Sequence, residues 1–227
     1  MSHKELLEIQ GLKVYYFTKS RVFRAVDSVN MNIGRGKVVA VVGESGSGKT
    51  TLIQSILRVL PSEAKIVEGR ILFEGIDLTR LDDKAMEKIR GKKISMIFQD
   101  PHSYLNPVLT IGDQFSDYLI YSLGYDRSSA KNEVAKYLGM VGINDPYRVA
   151  KSYPHQLSGG MAQRVMIAMS LASKPSLLLA DEPTSALDPT IQFQILRLLK
   201  DLKATLGFSI MMVTHDLSLV AYMADYV

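Results

Sequence analysis

Apolar and polar residues alternate along Leu7–Phe17 and again along Arg24–Ile33, most clearly in AVDSVNMNI at residues 25–33. A period of two sets one face on a core and leaves the other wet, so both stretches are predicted strands. Gly34 and Gly36 turn the chain into Lys37–Val42, which is apolar on both faces, as a strand inside a parallel sheet should be. After a Gly-rich loop a helix is predicted to end near Pro61. Ile66–Glu74 reads as a strand turned by Gly75. Asp82 and Asp83 open a short helix that Gly91 stops, and Lys93–Phe98 is a further strand. From Thr110 to about Ala172 the spacing becomes helical, broken at Gly124, Gly139 and Pro154. Ser176–Ala180 and Phe208–Val213 read as short, buried strands. Between them Asp188 is an N-cap, Pro189 the first helical residue and Gly207 the stop. Strands alternate with helices in both outer parts of the chain, and a helical block separates them. The expected class is α/β: a parallel sheet core, an antiparallel β subdomain from the first strands, and an inserted α-helical subdomain. No internal repeat or low-complexity segment appears.

Composition narrows this only a little. With 227 residues, 47% of them hydrophobic, the chain can fill the core of one large domain. The net charge of +4 is dispersed, and the densest basic run, KIRGKK at residues 88–93, reads as a solvated helix end. No basic stripe is interleaved with aromatics, so no nucleic-acid partner is expected. The absence of cysteine excludes disulfides and thiolate metal sites within this sequence. The first ten residues lack an apolar signal region. No apolar run approaches the roughly 18 residues a membrane span needs, so work at a membrane would require another chain to do the spanning.

The chemistry concentrates in GESGSGKT at residues 43–50, set between a strand and a helix. Gly43, Gly46 and Gly48 allow a tight path that aims successive N–H groups at phosphate oxygens. Glu44, Ser45, Ser47 and Thr51 complete the cradle and the helix start. That helix turns its positive dipole end to the same anion. Lys49 can reach the outer phosphates, and the Thr50 hydroxyl can ligate Mg²⁺. The stretch resembles the phosphate loop of the P-loop NTPases, which implies a RecA-like parallel sheet core. The metal needs an acid, and the strand at Ser176–Ala180 ends in Asp181 and Glu182. A carboxylate there is expected beside the loop of a neighbouring strand. Asp181 is the predicted Mg²⁺ partner through water, and Glu182 the group that takes the proton of an attacking water.

LSGGM at residues 157–161 resembles the LSGGQ signature of the ATP-binding cassette (ABC) ATPases, with Met161 where glutamine is usual. The other landmarks follow in order. Phe98-Gln99-Asp100 resembles the Q-loop, Ser185–Asp188 the D-loop, and Thr214-His215-Asp216 the switch histidine. The resemblance spans nearly the whole chain. It implies ATP and Mg²⁺ as cofactors, Gln99 as a metal and water contact, and His215 at the γ-phosphate. It implies that Tyr16 stacks on adenine, with Tyr15 and Phe17 as near rivals. It also implies that Ser158, Gly159, Gly160 and Asp188 serve the ATP of a second cassette, packed head to tail. His3, His102 and His155 show no metal spacing.

The wording of FQDPHSYLNP at 98–107, YPHQLSGG at 153–160 and ADEPTSALD at 180–188 resembles the ATPases of dipeptide, oligopeptide and nickel importers. The implied partners are transmembrane permease subunits, a second ATPase subunit, identical or sister, and indirectly an extracytoplasmic solute-binding protein. The implied location is the cytoplasmic face of the membrane. Departures are Ala162, His102 and Tyr104. The sequence stops at Val227, where the resemblance leads one to expect a longer C-terminal tail, and the strand begun there should leave a sheet edge open. The expected division is residues 1–97 and 161–227 for the nucleotide-binding core with its β subdomain, and 98–160 for the helical subdomain. The competing reading is a soluble ABC ATPase acting on nucleic acid or ribosomes. Residues 51–156 are too few to hold the long coiled coil of the DNA-repair members, and one cassette, not two, is present.

Overall fold

The computed structural model describes residues 5–227. Two sheets share the chain. β1 (Glu5–Phe17) lies between β2 (Val22–Gly34) and β4 (Ala64–Phe73), both antiparallel to it, and the two-residue β5 (Ile76–Asp77) completes the order β2-β1-β4-β5. The second sheet is parallel: β3 (Val38–Val42), β6 (Ile94–Ile97), β7 (Leu177–Asp181) and β8 (Ser209–Thr214), in the order β3-β8-β7-β6. Every residue of β7 and β8 is buried, which is why both are apolar through their middle, Leu177–Ala180 and Ile210–Val213.

The period of two is visible in how β7 feeds two cores. Leu177 and Leu179 pack with Leu7, Leu12, Ile71 and Phe73 of the antiparallel sheet and with α1 (Lys49–Leu57). Leu178 and Ala180 face the other way, onto α7 (Gly159–Ala172) and α8 (Pro189–Leu206). Each fully buried leucine contributes about 1.5–3 kcal/mol, so this strand is anchored from both sides. Its C-terminal end, where Asp181 stands, is correspondingly fixed. Between β6 and α7 comes the helical block: α3 (Pro101–Tyr104), α4 (Ile111–Asp117) running on into a π-helical turn at Tyr118–Ser122, α5 (Arg127–Met140) and α6 (Pro146–Ala150). Phe115, Leu119, Val134 and Leu138 join it to Val165 of α7 in one continuous core. The last helix is α9 (Leu217–Met223).

The elements expected from the pattern form, with shifts at their ends. α1 stops at Leu57, before Pro61, because Arg58 turns left-handed at φ +52° and its N–H caps the helix. The Arg58 guanidinium then donates to the carbonyls of Leu78 and Leu81, which holds a non-glycine residue in that conformation. The helix opened at Asp82 is α2 (Asp83–Met86), only four residues long. The chain then coils as turns, with the N–H groups of Lys92, Lys93 and Ile94 all on the Ile89 carbonyl. At the far end Asp225 and Tyr226 donate to Val38, Ala40 donates to Tyr226, and Tyr226 pairs with Val39, so β3 receives one bridge on its outer edge. Among the described residues no helix is long and apolar enough to cross a membrane.

Candidate active site

The glycine-rich loop joins β3 to α1 over Gly43–Gly48. Gly46 and Gly48 take φ of +82° and +95°, where a side chain is strained. Gly48 has a second constraint: a Cβ there would lie 2.0 Å from the Ala25 carbonyl oxygen, so the loop is pressed onto the backbone of β2. No side chain caps α1. Its first N–H groups lack partners inside the helix and remain available to an anion. Lys49 is buried, and its Nζ donates to the carbonyls of Gly43 and Glu44 at 2.6 and 2.7 Å.

These groups border a cleft of about 650 Å³, well within the range of a small-molecule site. Tyr16, Ala25, Glu44, Ser45, Gly46 and Gly48–Thr51 line one side, and Gln99, Glu182 and His215 the other. Of the three adjacent aromatics, Tyr16 is the one in the cleft, its hydroxyl 3.1 Å from Thr51 Oγ1. Tyr15 donates to Asp27 instead, and Phe17 does not border the cleft. Gly43 and Ser47 lie on the far side of the loop, facing β2, where Ser47 closes over Gly43.

Asp181 corrects one expectation. β7 is not the neighbour of β3, since β8 lies between them. The carboxylate still meets the phosphate loop, because Thr50 Oγ1 donates to Asp181 Oδ1 at 3.2 Å across the top of β8. Burial pushes the Asp181 carboxyl above its usual range; the Thr50 hydrogen bond opposes this and neighbouring Glu182 adds to it. A buried carboxylate that resists ionising, beside a hydroxyl, is an incomplete set of hard oxygen donors, and that set fits Mg²⁺.

Glu182 leaves β7 at φ +44°, a left-handed value that costs a non-glycine residue about 1–2 kcal/mol. Its N–H is held by the Val213 carbonyl. This bend aims the side chain into the cleft. Glu182 Oε2 lies 3.2 Å from His215 Nδ1 and accepts from Gln99 Nε2 at 3.4 Å. His215 is fixed at the end of β8 by its neighbours: Thr214 Oγ1 accepts the Asp216 N–H, and Asp216 caps α9 through Ser218. The Ser218 hydroxyl, which donates to the same carboxylate at 2.6 Å, and the Ser218 N–H hold the Asp216 carboxyl below its usual range. Three residues from three strand ends thus meet at one point.

Ser158, Gly159, Gly160 and Asp188 do not join that point. Ser158 is the N-cap of α7 and accepts the Met161 N–H; Asp188 caps α8 through Thr190 and Ile191. The two glycines have a packing role that the sequence did not disclose. A Cβ on Gly159 would sit 3.2 Å from Leu187, and one on Gly160 would sit 2.8 Å from Ile191. Ala25, whose carbonyl abuts Gly48 and whose side lines the cleft, was also missed; only its place in a strand was legible. His102 follows the Asp100 cap, His155 stacks on Tyr153, and His3 lies outside the described residues.

Known proteins resemble the chain over most of its length. The ABC transporter family profile matches residues 26–185. The chain is 48% identical over 225 residues to the dipeptide transport ATP-binding protein DppD of Bacillus subtilis, covering 99% of this chain and 67% of that one. It is 48% identical over 223 residues to the oligopeptide transport ATP-binding protein AppD of the same organism, covering 98% and 68%. It therefore spans about two thirds of the length of these relatives. Among solved structures, the dimeric post-hydrolysis ATP-binding cassette MJ0796, bound to ADP and Pi, superposes with a TM-score of 0.84 at 32% identity, covering 97% of this chain and 94% of that one. The chain belongs to the ABC transporter family, as one of its ATP-hydrolysing cassettes.

Proposed function

We propose that this chain is the ATP-binding subunit that powers a membrane importer of peptides, by ATP-driven pairing with a second cassette. The observation that carries the reading is the convergence of Glu182, His215 and Gln99 opposite the phosphate loop. Relatives that transport dipeptides and oligopeptides support the peptide class.

The phosphates lie along the N–H groups of the loop and α1, and Lys49 leaves its two carbonyls for the outer phosphate oxygens. Tyr16 supplies the stacking face for adenine. Thr50, Asp181 and Gln99 would hold Mg²⁺, which neutralises charge on the phosphate oxygens. Glu182 accepts a proton from water as its oxygen attacks the γ-phosphorus, and the bond to the ADP oxygen breaks to release phosphate. His215 orients that water and contacts the γ-phosphate. Ser158, Gly159, Gly160 and Asp188 present the start of α7 to the ATP of the other cassette, so ATP bridges the two and hydrolysis lets them part.

The permease subunits meet the helical block of residues 98–160. Past Gln99, Tyr104 stacks on Phe98 at 3.7 Å beside an apolar groove of about 310 Å³, and Val108 is 76% exposed nearby. An apolar surface linked in sequence to a catalytic loop suits a partner that must sense nucleotide. The chain then works at the cytoplasmic face of the membrane, held there by those subunits.

Glu182→Gln tests the mechanism. It should bind ATP, hydrolyse it at least 100-fold more slowly, and shift from monomer to dimer with ATP in size-exclusion chromatography with light scattering. Normal turnover would remove Glu182 as the base. Clear ATP binding with no dimer would point to a sister chain as the partner.

A further inference from the structure

Behind the cleft, a cavity of about 70 Å³ separates three segments that carry chemistry. One is the loop after Gln99, at Asp100. The second is the turn after Glu182, at Thr184. The third is the first turns of α7, at Gln163. Gln163 is 1% exposed, and its Nε2 is the one fully buried side-chain nitrogen or oxygen among the described residues without a hydrogen-bond partner. An orphaned buried donor forfeits its hydration, so it persists only where something answers it. The cavity has room for several waters, each needing about 10–15 Å³, and Asp100 and Thr184 border the same space. One turn further along α7, Met166 Sδ accepts the Phe98 N–H at 3.2 Å. The same face of the helix therefore meets the Gln99 loop twice, once through a weak sulfur acceptor and once across the cavity.

We propose that Gln163 is a positioning residue: through water held in this cavity, its amide ties the signature end of α7 to the Gln99 loop and to the turn that follows Glu182. The amide touches no substrate. Its effect is to keep the hydrolytic carboxylate, the Gln99 amide and the helix start at Ser158 in one register. A cassette whose helix start is displaced would then lose alignment at its own Glu182 as well. This inference rests on Glu182 acting as the base.

Gln163→Met keeps the length and apolar bulk and removes the donor. Thr184→Val removes a second water partner. Gln163→Asn keeps the amide and leaves space for one more water. In Mg²⁺-dependent ATP hydrolysis by the full chain, Gln163→Met should lower kcat about tenfold, with KM and the Kd for ATP in EDTA unchanged. Asn should recover most of the rate. The Met and Val effects on kcat should be less than additive, because both disturb the same waters. A Met variant with wild-type kcat and a higher melting temperature would mean a dry cavity with a relieved orphan, and would overturn the proposal. So would strictly additive effects, or an Asn variant as slow as Met. If Met proves too unstable to assay, the comparison of Asn with Thr184→Val decides alone: Asn as slow as Val overturns the tie. Wild-type turnover that Glu182→Gln leaves unchanged would count against the assigned base, and turnover that depends on Glu182 with an indifferent Gln163 against this inference only.

Discussion

Replacing Asp181 with asparagine should make the nucleotide-free chain more stable while removing its metal site. The carboxylate is 6% exposed and accepts one hydrogen bond, from Thr50. Lys49, the cation that acts on it, is committed to the carbonyls of Gly43 and Glu44, and Glu182 stands next in the chain. Burial therefore raises the folded carboxyl pKa above its unfolded value, which is near 3.9. The sign follows. Between the two pKa values the folded state holds a proton that the unfolded state has released. Stability is full below the unfolded value and is lost as pH rises through the folded one. Asparagine mimics the protonated form at every pH. Removing a buried, poorly paired charge stabilises by about 1–4 kcal/mol, and the weaker Thr50 bond to a neutral amide gives back about 1. A net gain of about 2 kcal/mol is a rise of about 4–8 °C in melting temperature for a domain of this size. Differential scanning calorimetry in EDTA at pH 8 should show this gap, and at pH 4 it should narrow. Adding Mg²⁺ and ATP should raise the melting temperature of the wild type much more than that of Asp181→Asn, because only the wild type keeps the charged ligand. An asparagine variant less stable than the wild type at pH 8, or a gap that widens toward acid, would refute the reasoning.

Two further expectations separate backbone from side-chain roles. Gly48→Ala should cost about 2–5 kcal/mol, from a left-handed alanine plus the collision with the Ala25 carbonyl, whereas Gly46→Ala, with open space around it, should cost only about 1–2. Equal melting temperatures for the two would contradict the close approach of the loop to β2. Tyr16→Ala should weaken both ATP and ADP by about 1–3 kcal/mol, on the order of 5- to 150-fold in Kd, and leave inorganic triphosphate binding unchanged. Tyr16→Phe should bind nucleotide as the wild type does, and a loss equal to that of alanine would transfer the role from the ring to the hydroxyl.

The sequence carried most of the fold because its signals were local. The run at Leu177–Asp181 needs no long-range information to be read as a doubly covered strand, and Asp188-Pro189 marks its helix start by backbone chemistry alone. Strand order was not local. Nothing in the residues of β7 says that β8 separates it from β3, which is why Asp181 was expected one strand nearer the loop. The end of α1 was misread for a related reason: proline is a local stop, but Arg58 turns left-handed because the distant carbonyls of Leu78 and Leu81 hold its guanidinium. Ambiguity among Tyr15, Tyr16 and Phe17 could be settled only by the face that β1 turns to the cleft. Gln163 reads in sequence as an ordinary polar position near a helix start, and its burial depends on two remote loops closing over it.

The nucleotide-free cleft is not a set of waiting, unpaired groups. Lys49 is held by two carbonyls, and Glu182 by His215 and Gln99. Each of these bonds must be exchanged for one to phosphate or water when ATP enters, so binding energy is a difference between two satisfied networks. That has a consequence for how the site tells ATP from ADP. On the proposed mechanism the α- and β-phosphates would lie against the loop and the start of α1, where the N–H groups are open and little has to be broken. On the same mechanism the γ-phosphate would lie toward the second network, where reaching His215 and Gln99 would mean separating both from Glu182. Only the triphosphate supplies the oxygens that make this separation favourable, and the carboxylate it frees is the one that then needs a proton to accept. On that mechanism, the contacts that restrain Glu182 without ATP would be the same ones whose release couples the presence of a γ-phosphate to its hydrolysis.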